Sequence, residues 1–185
     1  MATADRQRYT GVRGNVVNGA YPLYASSIHK LGDMMIWDTT NAAQIAATAG
    51  DNMAAISGND NLFLGRATED YATLEGTVKT RISVIRAAPW VEFMLWIYNA
   101  TAGSTVPAPL TQLGVSCNVW YQSAALGWAA EIADTTDKFV TIAGYLSGKK
   151  GTDGLPNWPD SATAGTNTYP AVWAAPLLAS CATVR

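Results

Sequence analysis

The sequence predicts an all-β fold, an antiparallel β-barrel or β-sandwich of jelly-roll or tulip-like kind. Three observations carry that expectation. Apolar runs of strand length are bounded by Gly, Pro, Asp and Asn, as in Gly32-Asp33-Met34-Met35-Ile36-Trp37-Asp38-Thr39-Thr40. Residues 78–85 alternate with a period of two: Val78, Thr80, Ile82 and Val84 face one way, and Lys79, Arg81, Ser83 and Ile85 the other. No helical period alternates with the strands, which disfavours a parallel α/β sheet.

In chain order, residues 1–20 are polar, with Gly11, Gly14 and Gly19 and with Arg6, Arg8 and Arg13 set against Asp5. They carry no period of 2 or 3.6 and predict an extended N-terminal arm, either loose or strapped across a neighbour. Residues 21–185 then form a single β domain. Met34–Trp37 is a buried strand. The Ala-rich stretch 41–49 is cut short by Gly50-Asp51-Asn52, and strand-and-loop is favoured there over two helical turns. Asn61-Leu62-Phe63-Leu64-Gly65-Arg66-Ala67 is the next strand.

The alternating strand near 78–85 ends at Ala87-Ala88-Pro89. Trp90–Tyr98 is apolar on both faces apart from Glu92, so it lies mid-sheet with cover on each side or against another subunit. Residues 99–112 form a Gly/Pro-punctuated loop. Further strands are expected at 113–121, 126–132 and 138–146. A long Gly/Pro-rich loop follows at 147–170, and Ala171-Val172-Trp173 returns to the sheet.

Composition narrows the function classes. Charged residues make up 14% of the chain, against roughly 25% in an ordinary soluble domain. Covering part of the surface with other subunits is the simplest physical remedy. A neutral exterior of Thr, Ser, Asn and Gly is the alternative. A net charge of −2, with twelve basic residues scattered among fourteen acidic ones, lacks the footprint of a nucleic-acid binder. There is no apolar run long enough to span a membrane and no secretory leader pattern, so manufacture in a cytosol is expected. Cys117 and Cys181 are then expected as buried, reduced thiols.

No catalytic constellation emerges, and no enzyme activity, cofactor or metal is expected. His29 is the only histidine and has no nucleophile motif beside it. The two Asp-Thr-Thr triplets, 38–40 and 134–136, resemble the aspartic-protease signature only loosely. Their aspartates read better as turn-forming carboxylates at strand ends. Of the seven tryptophans (Trp37, Trp90, Trp96, Trp120, Trp128, Trp158 and Trp173), five sit within apolar strand runs and are expected in the core; Trp158 is the exception, in the 147–170 loop as Asn157-Trp158-Pro159. That position suits a docking anchor for a partner or a glycan.

The order Gly32-Asp33, apolar run, Trp37-Asp38-Thr39-Thr40, small-residue link, Phe63-Leu64-Gly65-Arg66-Ala67 resembles the opening of tailed-bacteriophage capsid decoration (cement) proteins. The resemblance continues through Phe93–Asn99, Thr111-Gln112-Leu113-Gly114 and Ala133-Asp134-Thr135-Thr136 to the strand Phe139–Gly144. It covers about residues 20–146, and the 147–170 loop departs from it. Gly32, Asp33, Trp37, Asp38, Phe63 and Gly65 are its structural motif positions.

The resemblance implies a non-catalytic virion protein on the exterior of an icosahedral capsid, assembled in the host cytoplasm. Its partners would be the major capsid protein and further copies of itself, commonly as a homotrimer bridging capsomers. Contact residues are then expected in the arm (Arg6, Arg8, Tyr9, Arg13) and at Trp158. A carbohydrate-binding sandwich or fibre head, and a tail-tube or connector subunit, are the competing expectations.

Overall fold

The computed structural model describes residues 11–22, 31–37, 43–45, 62–68, 81–99, 112–123, 127–134, 138–145 and 171–181. These carry eleven strands: β1 (Val12–Gly14), β2 (Asn18–Pro22), β3 (Met34–Trp37), β4 (Ala43–Ile45), β5 (Leu62–Ala67), β6 (Arg81–Arg86), β7 (Val91–Tyr98), β8 (Ser116–Ser123), β9 (Gly127–Glu131), β10 (Val140–Tyr145) and β11 (Ala171–Pro176). A single 3₁₀ turn follows at Leu178–Ser180. The all-β expectation holds.

Two sheets result. The first is six-stranded in the order β1-β7-β11-β10-β8-β9, and β9 pairs a second time, in parallel, with β7. Five of its strands therefore form a ring of pairings, with β1 added beside β9 on one edge of β7. The second sheet is open, in the order β2-β6-β5-β3-β4, and antiparallel throughout.

Alternation along the first sheet builds the main core. Val91, Phe93, Leu95 and Ile97 of β7 meet Cys117 and Val119 of β8, Trp128 and Ala130 of β9, Val140 and Ile142 of β10, and Val172 and Ala174 of β11. Met34, Ile36 and Phe63 of the second sheet join this cluster. Met35 and Leu64, the next residues along β3 and β5, point the other way into a second cluster with Tyr21, Ile82 and Val84. Both faces of β3 and β5 are thus buried, which is why these strands read as unbroken apolar runs and not as alternating ones.

The alternation expected for residues 78–85 holds over β6, where Arg81 is exposed while Ile82 and Val84 are buried. Its expected start at 77–80 lies outside the described residues. The eighth strand begins at Ser116, because Gln112–Gly114 forms a turn closed by Val115 N–H donating to Gln112 O (3.1 Å). Residues 11–20, expected as part of an arm, are extended but belong to their own chain's sheets: β1 pairs with β7, and β2 pairs with β6. Glycine and polar residues hid this, since edge strands with Tyr21 as their one buried side chain show no hydrophobic period. The loop 147–170 and residues 1–10 lie outside the described residues.

Candidate interaction surface

The motif Gly32-Asp33 … Phe63-Leu64-Gly65-Arg66 sits inside the fold. Gly32 N–H donates to Ala67 O (2.9 Å) and Ala67 N–H donates to Asp33 O (2.8 Å), which ties the entrance of β3 to the end of β5. The Asp33 carboxylate accepts from the Trp128 indole N–H (3.2 Å), linking the second sheet to β9 of the first. Trp128 in turn packs on Tyr121 with ring centroids 5.2 Å apart. Phe63 lies against Phe93 at 5.5 Å, and Trp37 meets Tyr21 edge-on at 6.0 Å. Gly65 stands at the register shift between β3 and β5, with φ +142°; a side chain there would overlap the Ile85 carbonyl.

Arg66, beside it, was not singled out in the sequence. It is 2% exposed. Its guanidinium donates to Gly11 O (3.0 Å) and Met94 O (2.6 Å) and lies 5.2 Å from the Phe93 ring centroid. Burial pushes it down to about 9, while the nearby Asp33 carboxylate acts in the opposite sense. At neutral pH it is a buried cation held by two carbonyls and a ring face. One guanidinium thereby joins β5, the start of β1 and the middle of β7.

The other buried polar groups are also committed to the fold. Asn118 donates from Nδ2 to Asp134 Oδ2 (2.8 Å), and its Oδ1 accepts from Val119 N–H. The Glu131 carboxylate accepts from Ala133 N–H (2.8 Å). The aspartate of the second Asp-Thr-Thr triplet therefore serves a hairpin end. Asp38 of the first triplet, and His29, lie outside the described residues. Cys117 and Cys181 are free and buried; burial foremost pushes their thiols up, to about 12 and about 11. Among the described residues no group of three or more His, Cys, Asp or Glu side chains is placed to hold a metal ion.

The surface is more distinctive. Where β6 passes from the second sheet into β7 of the first, Ala87 and Ala88 are buried but Trp90 is 60% exposed. The β1–β2 connection runs alongside, with Arg86 N–H donating to Val17 O (2.9 Å), and it presents Val16 and Val17 to solvent. β11 runs antiparallel to β7, so its C-terminal end reaches the same end of the sheet, and Leu178, 69% exposed, follows it there. Val16, Val17, Trp90 and Leu178 thus lie on segments at this end of the first sheet; Leu31 and Leu113, the other exposed large apolar side chains among the described residues, lie elsewhere.

No family model, curated protein or solved structure matches this chain. Of the expected contact residues, Arg13 alone is described. It forms an ion pair with Glu92 (2.6 Å) and lies over the Trp173 ring at 4.6 Å, so its guanidinium is engaged within the chain. Arg6, Arg8, Tyr9 and Trp158 lie outside the described residues. Trp90 opens an apolar run, which predicts a core strand residue, yet it stands in the turn before β7 and is exposed. Pro89 immediately before it was the available signal that position 90 belongs to a turn.

Proposed function

We propose that this chain is a structural protein of a tailed-phage virion. It binds the outer surface of the capsid, through copies of itself and of the major capsid protein, and stabilises the shell by favouring the assembled state. The observation that carries this reading is the apolar end formed by Val16, Val17, Trp90 and Leu178, on a chain with an unusually low charge content. The motif resemblance supplies the virion context. Many copies, each adding a modest contact, would together resist the pressure of a packaged genome.

The test is co-sedimentation of the purified protein with undecorated capsids of the phage whose genome encodes it. Saturable binding is expected, with a native mass three times that of the monomer for the free protein. Trp90→Ser together with Val17→Ser should weaken binding at least tenfold while leaving the circular dichroism spectrum unchanged. Undiminished binding by that variant would remove the apolar end from the contact.

The exposed Trp90 indole also favours a second reading, in which the same end stacks on a sugar ring. Titration with oligosaccharides would then quench tryptophan fluorescence in the parent chain and not in Trp90→Ser. No quenching, alongside capsid binding, decides for the first reading.

A further inference from the structure

Residues 11–22 cross both sheets. β1 lies on β7 of the first sheet and β2 on β6 of the second, while β6 runs directly into β7 through residues 87–90. The pairings Gly14↔Val91 and Asn18↔Ile85 show that the N-terminal segment follows β6 and β7 in reverse around their shared corner. At the corner Gly14 takes φ +102°, pressed against the Trp90 carbonyl, where a side chain would not fit.

This segment contributes little to the core. Residues 13–18 are exposed, Val12 is half-buried, and Tyr21 is the one buried side chain. Polar contacts hold it instead: Arg66 to Gly11 O, Arg13 to Glu92, and Arg81 to Ala20 O (2.8 Å). Water can replace the two exposed contacts, those of Arg13 and Arg81, whereas it cannot replace the apolar contacts of β5 or β7; the part-buried bond from Arg66 holds only the first residue of the segment. The segment is also outermost in the second sheet and stands at the end of the order in the first, so its departure breaks no other strand pairing.

We propose that residues 11–22 are a strap that detaches as one unit while the two sheets stay folded. The edge uncovered along β6 and β7 then takes the same segment from a second copy of this chain. That occupant follows from the structure itself: the strand known to match this bent edge in register, glycine placement and arginine contacts is the one already there, and every copy carries it. The inference is independent of the virion reading.

Hydrogen exchange followed by mass spectrometry tests the opening. The amides of 12–21 should exchange together, at least tenfold faster than those of β10 and β11. Glu92→Gln, which removes the ion pair, should accelerate them further and leave β10 and β11 unchanged. Protection of 12–21 equal to that of β10 and β11 would overturn the strap. So would a smooth gradient of fraying from Gly11 inward.

Exchange between copies is tested by mixing an Arg13→Cys chain with a Glu92→Cys chain. The bifunctional thiol reagent is chosen as one that closes the Arg13→Cys/Glu92→Cys double variant within a single chain. Arg13 and Glu92 are register partners, and both native thiols are buried. A cross-linked dimer joining the two variants is expected; monomers alone would overturn the exchange.

Discussion

At Gly65 the backbone passes so close to Ile85 that a β-carbon has nowhere to go, and its φ of +142° is one that other residues rarely adopt. Gly65→Ala should therefore destabilise the fold by on the order of 3 kcal/mol, from backbone strain and overpacking together. A lowered melting temperature would show it; an unchanged one would mean that the bulge can relax. Arg66 works by a different physics. Arg66→Ala leaves the Gly11 and Met94 carbonyls without their donor and opens a cavity, and a loss of about 3 kcal/mol is expected in urea unfolding. Arg66→Lys should recover little of it, because an ammonium lacks the planar fork that reaches two carbonyls at once. Full recovery would make Arg66 a simple positive charge.

Among the elements, β7 takes part in the most pairings, with β1 and β9 on one edge and β11 on the other. Its apolar character on both faces was legible in the sequence, and so were the strand identities of β3, β5, β6 and β11, because burial leaves a pattern in the residues it selects. β1 and β2 left none. An edge strand with exposed side chains is specified by backbone pairing and by a few arginines, and neither has a period. Asn118 and Asp134 illustrate the same limit. Their hydrogen bond joins positions in β8 and beyond β9, and only the hairpin brings them together.

For the whole molecule, the buried ionisable groups among the described residues bias how stability responds to alkali. Cys117 and Cys181 are raised to about 12 and about 11, and Tyr21 and Tyr121 are also raised, chiefly by burial. Below the unfolded thiol value of 9.0 the cysteines are neutral in both states and contribute no pH dependence. Above it the unfolded chain loses its thiol protons while the folded chain keeps them, so stability falls as pH rises towards the folded values. Arg66 has the opposite sign: lowered to about 9, it gives up its proton first in the folded state, which adds stability as pH rises above that point. Among these described groups, two thiols lose protons in the unfolded chain above pH 9 against one arginine in the folded chain, so the net slope is downward. Urea midpoints should fall between pH 9 and about 10.5, and fall less in the Cys117→Ala/Cys181→Ala chain. A slope identical in both chains would show that the thiols do not govern it. At pH 8 a thiol reagent should label neither cysteine until the chain unfolds.

The sequence by itself determined the all-β class, most strand positions, the buried state of the two cysteines and the turn chemistry around Gly32-Asp33, because each leaves a local signature in side-chain type and spacing. The tertiary structure decided what depends on distant residues meeting. It returned β9 to β7, laid residues 11–22 along the edges of two sheets, and buried Arg66 between carbonyls at positions 11 and 94. It also turned Trp90 outward. None of these has a period to read, since hydrogen bonds across the fold and exposure at a corner are properties of where the chain ends up in space.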